Sequence, residues 1–174
     1  MVLTPSNMLP LGTMASAFSL PDVTSDKIIS LTDFQGYKGL LIMFISRHCP
    51  FVKHIKTELA NIGHDYINKN LGIVAISSND IINYPDDSPT NLKLMAQEEA
   101  FNFPICYDET QEIAKNYQAA CTPDFYLFDG DLKLVYRGQL DDSRPSLNIP
   151  VTGKDLRTAM EALLTNQPVN IEQK

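Results

Sequence analysis

Hydrophobic positions follow two rhythms along this chain. In "GLLIMFIS", residues 39–46, both parities are apolar, and "LGIVAISS", residues 71–78, repeats the pattern. An apolar run on both parities predicts a central strand covered on both faces. Between the two, Val52, Ile55, Leu59, Ile62 and Tyr66 recur at alternating intervals of 3 and 4, with Lys53, Lys56, Glu58 and Asn61 on the other side. That spacing predicts an amphipathic helix. Pro50 fits its first position, where the missing N–H would have had no intrahelical partner anyway. Strand, helix and strand make a parallel unit with a right-handed crossover.

The remaining pattern predicts further elements on either side. "AFSLPDV" and "KIISLTDF" are short β-like runs, with a turn at Thr24 to Asp26 between them. "NDIINYPDDSPT" is a long loop whose Ser88-Pro89 serves as N-cap and first turn of a helix running to about Phe101. "FPICY" is a strand candidate, and Asp108 with Gln111 resembles a capping box opening a short helix through Ile113 and Tyr117. "DFYLFD" and "LKLVYRG" are strands joined by a tight turn at Gly130. The last helix starts near Thr152 or Gly153, turns Leu156, Met160, Leu163 and Leu164 inward, and stops at Pro168. A parallel half followed by an antiparallel half predicts a mixed sheet with helices on both faces.

Composition narrows the picture. A chain of 174 residues forms one domain, 1–174, with 1–12 and 167–174 as peripheral tails. At 44% hydrophobic and 20% charged residues, disorder is not favoured between those ends. The net charge of −7 disfavours nucleic acid and anionic membrane as partners. "MVLTPSNMLPLGTMAS" lacks the early basic residues and apolar core of a secretion signal, and no apolar run reaches the roughly 18 residues of a membrane span. A cytoplasmic location is the expectation. Three cysteines, Cys49, Cys106 and Cys121, are too few for a disulfide scaffold and lack zinc-like spacing. Neither a metal nor a cofactor is expected.

Cys49 falls where the first buried strand gives way to the helix, in "ISRHCPFVKHI". The carboxyl end of a central strand is where open α/β sheets place their ligands. A helix start leaves N–H groups unpaired and carries partial positive charge, and both favour a thiolate over a thiol. His48 and Lys53 are placed to add positive potential. The alternative is a small hydrophobe buried at a bend. Arg47, Arg137 and Arg144 stand between anion binding and simple solvation, and His54 is expected at the surface. The Thr-Pro of "ACTPDFYLF" precedes a strand, where a residue without an N–H is tolerated.

Together these stretches resemble the thioredoxin superfamily, specifically the peroxiredoxin-like thiol-disulfide oxidoreductases grouped with the alkyl hydroperoxide reductase and thiol-specific antioxidant proteins. "LGTMASAFSLPDV" with "ISLTDFQGYKGLLIMF" looks like the N-terminal β extension of that group, and "HCPFVKHI" like its active-site junction. "ISSNDIINYPDDSP", "YDETQEIAKNYQAACTPDFYLFD" and "LVYRGQLDDSRP" continue the likeness across roughly residues 11 to 165. The resemblance implies an α/β thioredoxin-like fold with a mixed central sheet and an N-terminal β extension. It also implies that Pro123 is cis beside the reactive cysteine and that Thr122 offers its backbone to a substrate.

The chain departs from its relatives at three positions. Ser46 stands where many carry the first cysteine of a CxxC, and Val52 stands where thioredoxin has its second. Peroxiredoxins use P-x-x-x-(T/S)-x-x-C; Ser46 and Cys49 match that spacing, but Ile42 occupies the proline position. A disulfide within the motif is therefore impossible, and an attacked Cys49 needs another thiol to resolve it. The resemblance points to Cys49 as nucleophile on a peroxide or disulfide substrate, Ser46 as support for its thiolate, and Thr122 and Pro123 as substrate-binding residues. Resolution falls either to Cys121 or to an external thiol reductant, thioredoxin-like or of low molecular weight. Cys121 pointing into the core is the alternative for that residue, and Cys106 is expected there. A redox-inactive module that binds a peptide or partner protein at the cis-proline groove is the competing function.

Overall fold

The computed structural model describes residues 6–174. Residues 1–5 of the expected N-terminal tail lie outside the described residues. Two short strands, β1 (Ser19–Pro21) and β2 (Ile28–Ser30), pair antiparallel as a ribbon of their own. The run "KIISLTDF" does not stay extended. Leu31–Phe34 form a 3-10 turn, with the Asp33 carboxylate accepting the Ser30 N–H at 2.8 Å.

The main sheet contains β3 (Gly39–Phe44), β4 (Leu71–Ser77), β5 (Ile105–Tyr107), β6 (Asp124–Asp129) and β7 (Leu134–Gly138). Their spatial order is β5-β4-β3-β6-β7. The β5-β4-β3 half is parallel and the β3-β6-β7 half antiparallel, the mixed arrangement expected from the pattern.

The two parities of β3 explain why it is apolar throughout. Leu41, Met43 and Ile45 face a core built with α1 (Pro50–Tyr66), α2 (Pro89–Glu98) and α4 (Lys154–Leu164). Leu40, Ile42 and Phe44 face a second core with Leu9, Phe18, Leu31 and residues of α3 (Glu112–Asn116). On α1, Val52, Ile55, Leu59, Ile62 and Tyr66 are all buried, as their spacing predicts.

Several junctions differ in detail. Asp108 and Gln111 do not form a capping box, because Gln111 is itself the N-cap of α3 with φ 64°. The Asp108 carboxylate instead accepts the N–H groups of Ile113 and Ala114 at 3.3 and 3.0 Å, so the acid caps the helix from further upstream. In the β6–β7 turn the left-handed residue is Leu132 rather than Gly130, and Asp129 accepts the N–H groups of Asp131 and Lys133. Helix α4 ends at Leu164, before Pro168. Its start rests on Gly153 at φ 70°, a conformation that favours glycine, with the Asp141 carboxylate accepting the Thr152 and Gly153 N–H groups at 2.8 Å.

Residues at both ends pack rather than trail. Leu9 is buried, and Gly12 and Ala15 donate to Leu134 and Leu132. Gln173 donates to the Val135 carbonyl, and the Lys174 carbonyl accepts the Gln139 N–H.

Candidate active site

Strand β3 ends at Phe44, the Ile45 N–H continues the ladder to Ile76, and three more residues lead to Cys49. Cys49 is the N-cap of α1, extended at φ −68°, ψ 122°. Its carbonyl accepts the Lys53 N–H at 3.0 Å, which opens the helix ladder. Pro50 has no N–H, and among the described residues the Phe51 and Val52 N–H groups have no hydrogen-bond partner. The positive end of α1 is thus unfilled beside the sulfur. The Cys49 side chain does not cap those groups; as a thiol, Sγ donates to the Thr122 carbonyl at 3.4 Å.

Thr122 comes from 73 positions away. Strand register brings it there, because Phe44 pairs with Asp124 and so delivers the loop preceding β6 to the end of β3. In that loop the Thr122–Pro123 bond is cis. Cys121 is half-buried, and its Sγ lies 3.8 Å from the Pro123 carbonyl. Burial pushes the Cys121 thiol up to about 12, the Asp124 and Cys49 charges add to this, and Arg144 opposes it. Cys121 is therefore a protonated thiol at neutral pH. Cys106 is fully buried on β5, and burial followed by the Asp22 charge pushes it to about 12.

The stretch before Cys49 is held by a residue that sequence reasoning missed. Asp87, fully buried at the end of a 3-10 turn (Pro85–Asp87), accepts four donors. These are Ser46 Oγ at 2.8 Å, the Arg47 N–H at 2.6 Å, His48 Nδ1 at 2.6 Å and Asn79 Nδ2 at 2.7 Å. The His48 ring stacks on Tyr84, with centroids 4.5 Å apart and planes 10° from parallel. Ser46 is committed to this cluster and makes no hydrogen bond to Cys49 among the described residues. The acidic loop "NYPDDSP" was visible in the sequence, but nothing there separates Asp87 from Asp86 as the buried one.

The three arginines have different duties. Arg47 donates to the Asn91 carbonyl and Glu98, while Arg137 donates to the Leu9 carbonyl and Gln173. Arg144 donates to the carbonyls of Asp141 and Ser143 and to Gln139, and of the three only Arg144 borders the cleft over Cys49. His54 is not a solvated surface residue. It borders the same cleft, 2.7 Å from Ser143 Oγ. The Ser143 hydroxyl gives its hydrogen to the Ile149 carbonyl at 2.6 Å, so His54 Nε2 is the donor in that contact.

The cleft measures about 1030 Å³ and touches Cys49, Cys121, Thr122, Pro123, His48 and Asp124. Asp124 is fully buried; Oδ2 accepts the Tyr126 hydroxyl at 2.9 Å, and among the described residues Oδ1 has no hydrogen-bond partner. Burial raises its carboxyl to about 6. Among the described residues, no group of three or more His, Cys, Asp and Glu could hold a metal ion, and no helix is long and apolar enough to cross a membrane.

Comparison with known proteins follows the same lines. Residues 11–137 match the AhpC/TSA family. Peroxiredoxin Bcp of Escherichia coli K12 is 26% identical over 111 residues, 64% of this chain and 65% of that protein, so the match spans just under two thirds of the length of these curated relatives. The crystal structure of an uncharacterized conserved protein from Geobacillus kaustophilus is 53% identical, covers 100% of this chain and 92% of its own, and superposes with a TM-score of 0.98. The thioredoxin domain of a thiol-disulfide oxidoreductase from Bacteroides vulgatus is 20% identical, covers 77% of this chain and 91% of that one, and superposes with a TM-score of 0.65. The fold is thioredoxin-like.

Proposed function

Since the chain belongs to the AhpC/TSA family, we propose that it is a thiol-dependent oxidoreductase in which Cys49 attacks a peroxide or a disulfide. One observation carries this reading above the others. The Cys49 sulfur sits at an open helix N-terminus, 3.4 Å from the Thr122 carbonyl, in a cleft that a second thiol, Cys121, also borders. Cys49 is only 3% exposed, so a substrate reaches it through the cleft, which suits a small peroxide or one extended chain.

With a hydroperoxide, the Cys49 thiolate forms an S–O bond as the O–O bond breaks. The products are a sulfenic acid and an alcohol or water. Cys121, or an external thiol, then condenses with the sulfenic acid, losing water and forming a disulfide. An external thiol reductant, thioredoxin-like or of low molecular weight, returns both sulfurs to thiols by exchange. With a disulfide substrate, attack gives a mixed disulfide and a leaving thiol, and the same resolution follows. Once Cys49 ionises it has no hydrogen left to donate, and the Thr122 carbonyl beside Pro123 becomes free to bind the incoming chain. Few cysteines, all of them free thiols, suit a reducing compartment, and the cytoplasm is part of this reading.

Equimolar hydrogen peroxide followed by peptide mass spectrometry tests the proposal. The expected product is Cys49 as sulfenic acid or linked to Cys121, and Cys49→Ser abolishes both. Cys49 recovered unmodified would leave the redox-inactive binding module as the better reading.

A further inference from the structure

The cluster that precedes Cys49 is more elaborate than a loop anchor requires. As a carboxylate, Asp87 accepts and cannot donate, and the single Ser46 hydroxyl hydrogen goes to Asp87 Oδ2. His48 Nδ1 lies 2.6 Å from that same oxygen and 2.7 Å from Ser46 Oγ. Both neighbours can only accept from it, so Nδ1 carries the proton. The other ring nitrogen, Nε2, is left as the basic one, and among the described residues it has no hydrogen-bond partner. Ser46 and Asp87 are fully buried, and the Tyr84 stack fixes the ring plane. His48 itself keeps 26% of its side chain exposed and borders the cleft that holds Cys49. The titratable groups in contact with the ring are Asp87 and Tyr84, the Arg47 guanidinium is turned away to Asn91 and Glu98, and Cys49 borders the same cleft as the ring.

We infer that His48 is the proton carrier for Cys49, with Asp87, Ser46, Asn79 and Tyr84 as the residues that position it. The inference rests on the reading of Cys49 as the reacting thiol and names a further participant in its chemistry. Nε2 takes the Cys49 thiol proton. The thiolate then forms its bond to a peroxide oxygen, the O–O bond breaks, and the leaving oxygen takes the proton from Nε2. Thiol and hydroperoxide become sulfenic acid and alcohol, His48 ends as it began, and no outside co-reactant is needed. An acceptor on Nδ1–H keeps the ring in the required tautomer, with Nε2 free of hydrogen.

The test compares two reactions of Cys49 in the full chain, each followed on its own peptide by mass spectrometry from about pH 5 to about pH 10, a range that brackets an ordinary imidazole. Iodoacetamide expels iodide, which needs no proton, whereas tert-butyl hydroperoxide expels an alkoxide, which does. In the wild type, the ratio of peroxide to alkylation rate falls as pH rises through the imidazole range. In His48→Gln that ratio is flat, the peroxide rate at neutral pH drops roughly a hundredfold, and alkylation in the alkaline limit matches the wild type. Asp87→Asn, which keeps a hydrogen-bond acceptor but no charge, loses part of the peroxide rate and carries the comparison if His48→Gln fails to fold by circular dichroism. A wild-type Cys49 that is alkylated but never oxidised would remove the peroxide reading and this inference with it. An oxidised wild type whose ratio follows the same course in both variants would overturn the role of His48 alone.

Discussion

At the scale of single residues, two cysteines that border the same cleft have opposite surroundings. Cys49 has an open helix end beside it, while Cys121 is held protonated by burial and by the Asp124 charge. That division favours Cys49 over Cys121 as the attacking thiol, because the thiolate is the nucleophile. Asp124 also affects stability. Its carboxyl titrates at 3.8 in an open chain and at about 6 when folded, because burial disfavours the anion. Between those values the unfolded chain has released a proton that the folded chain still holds, so stability declines as pH rises from 3.8 to about 6 and then levels off. The difference corresponds to roughly 3 kcal/mol at neutral pH. Asp124→Asn, which keeps an acceptor for the Tyr126 hydroxyl, should be more stable than the wild type at pH 7 by up to that amount and equal to it below the carboxyl range. Urea denaturation at the two pH values checks this.

At the scale of elements, α1 carries the site and α4 holds α1 in place. Arg157 of α4 donates from Nε and Nη2 to Glu58 at 3.2 and 3.1 Å and from Nη1 to Asp65 at 2.8 Å, all across to α1. Glu58 is only 10% exposed, so removing the arginine strands a nearly buried carboxylate. Arg157→Ala should cost about 2 kcal/mol. The double variant Glu58→Gln with Arg157→Met should recover most of the loss, since no charge is then left alone. Chemical denaturation of the single and double variants measures both. Cys49 reactivity should persist in the folded fraction, because neither residue borders the cleft.

At the scale of the whole molecule, the β7 side of the cleft is closed by the last residues described. Gln173 accepts from Arg137 and donates to Val135, while the Lys174 carbonyl receives the Gln139 N–H. Gly138 has φ 130°, and a Cβ there would overlap the Lys174 carbonyl oxygen. Gly138→Ala should therefore expel this segment and strain the strand end together, lowering stability by about 1–3 kcal/mol. Hydrogen exchange should show faster exchange at Gln139 in the variant, where the wild type is protected by its bond to Lys174.

Periodicity was sufficient for the elements whose burial is decided within one segment. The two-parity runs of β3 and β4, the 3-and-4 spacing of α1, and the Ser88 cap of α2 each follow from which residues leave water and which backbone groups need partners. The place of Cys49 at a helix start was equally legible, because proline, periodicity and strand end all coincide there. What lies opposite Cys49 was not, since that depends on register between distant strands. The Phe44–Asp124 pairing brings Thr122 to the sulfur, and the fold of the acidic loop selects Asp87 rather than Asp86 to hold His48. Local pattern records the cost of exposing each side chain, and only the closed chain determines which buried polar group answers which.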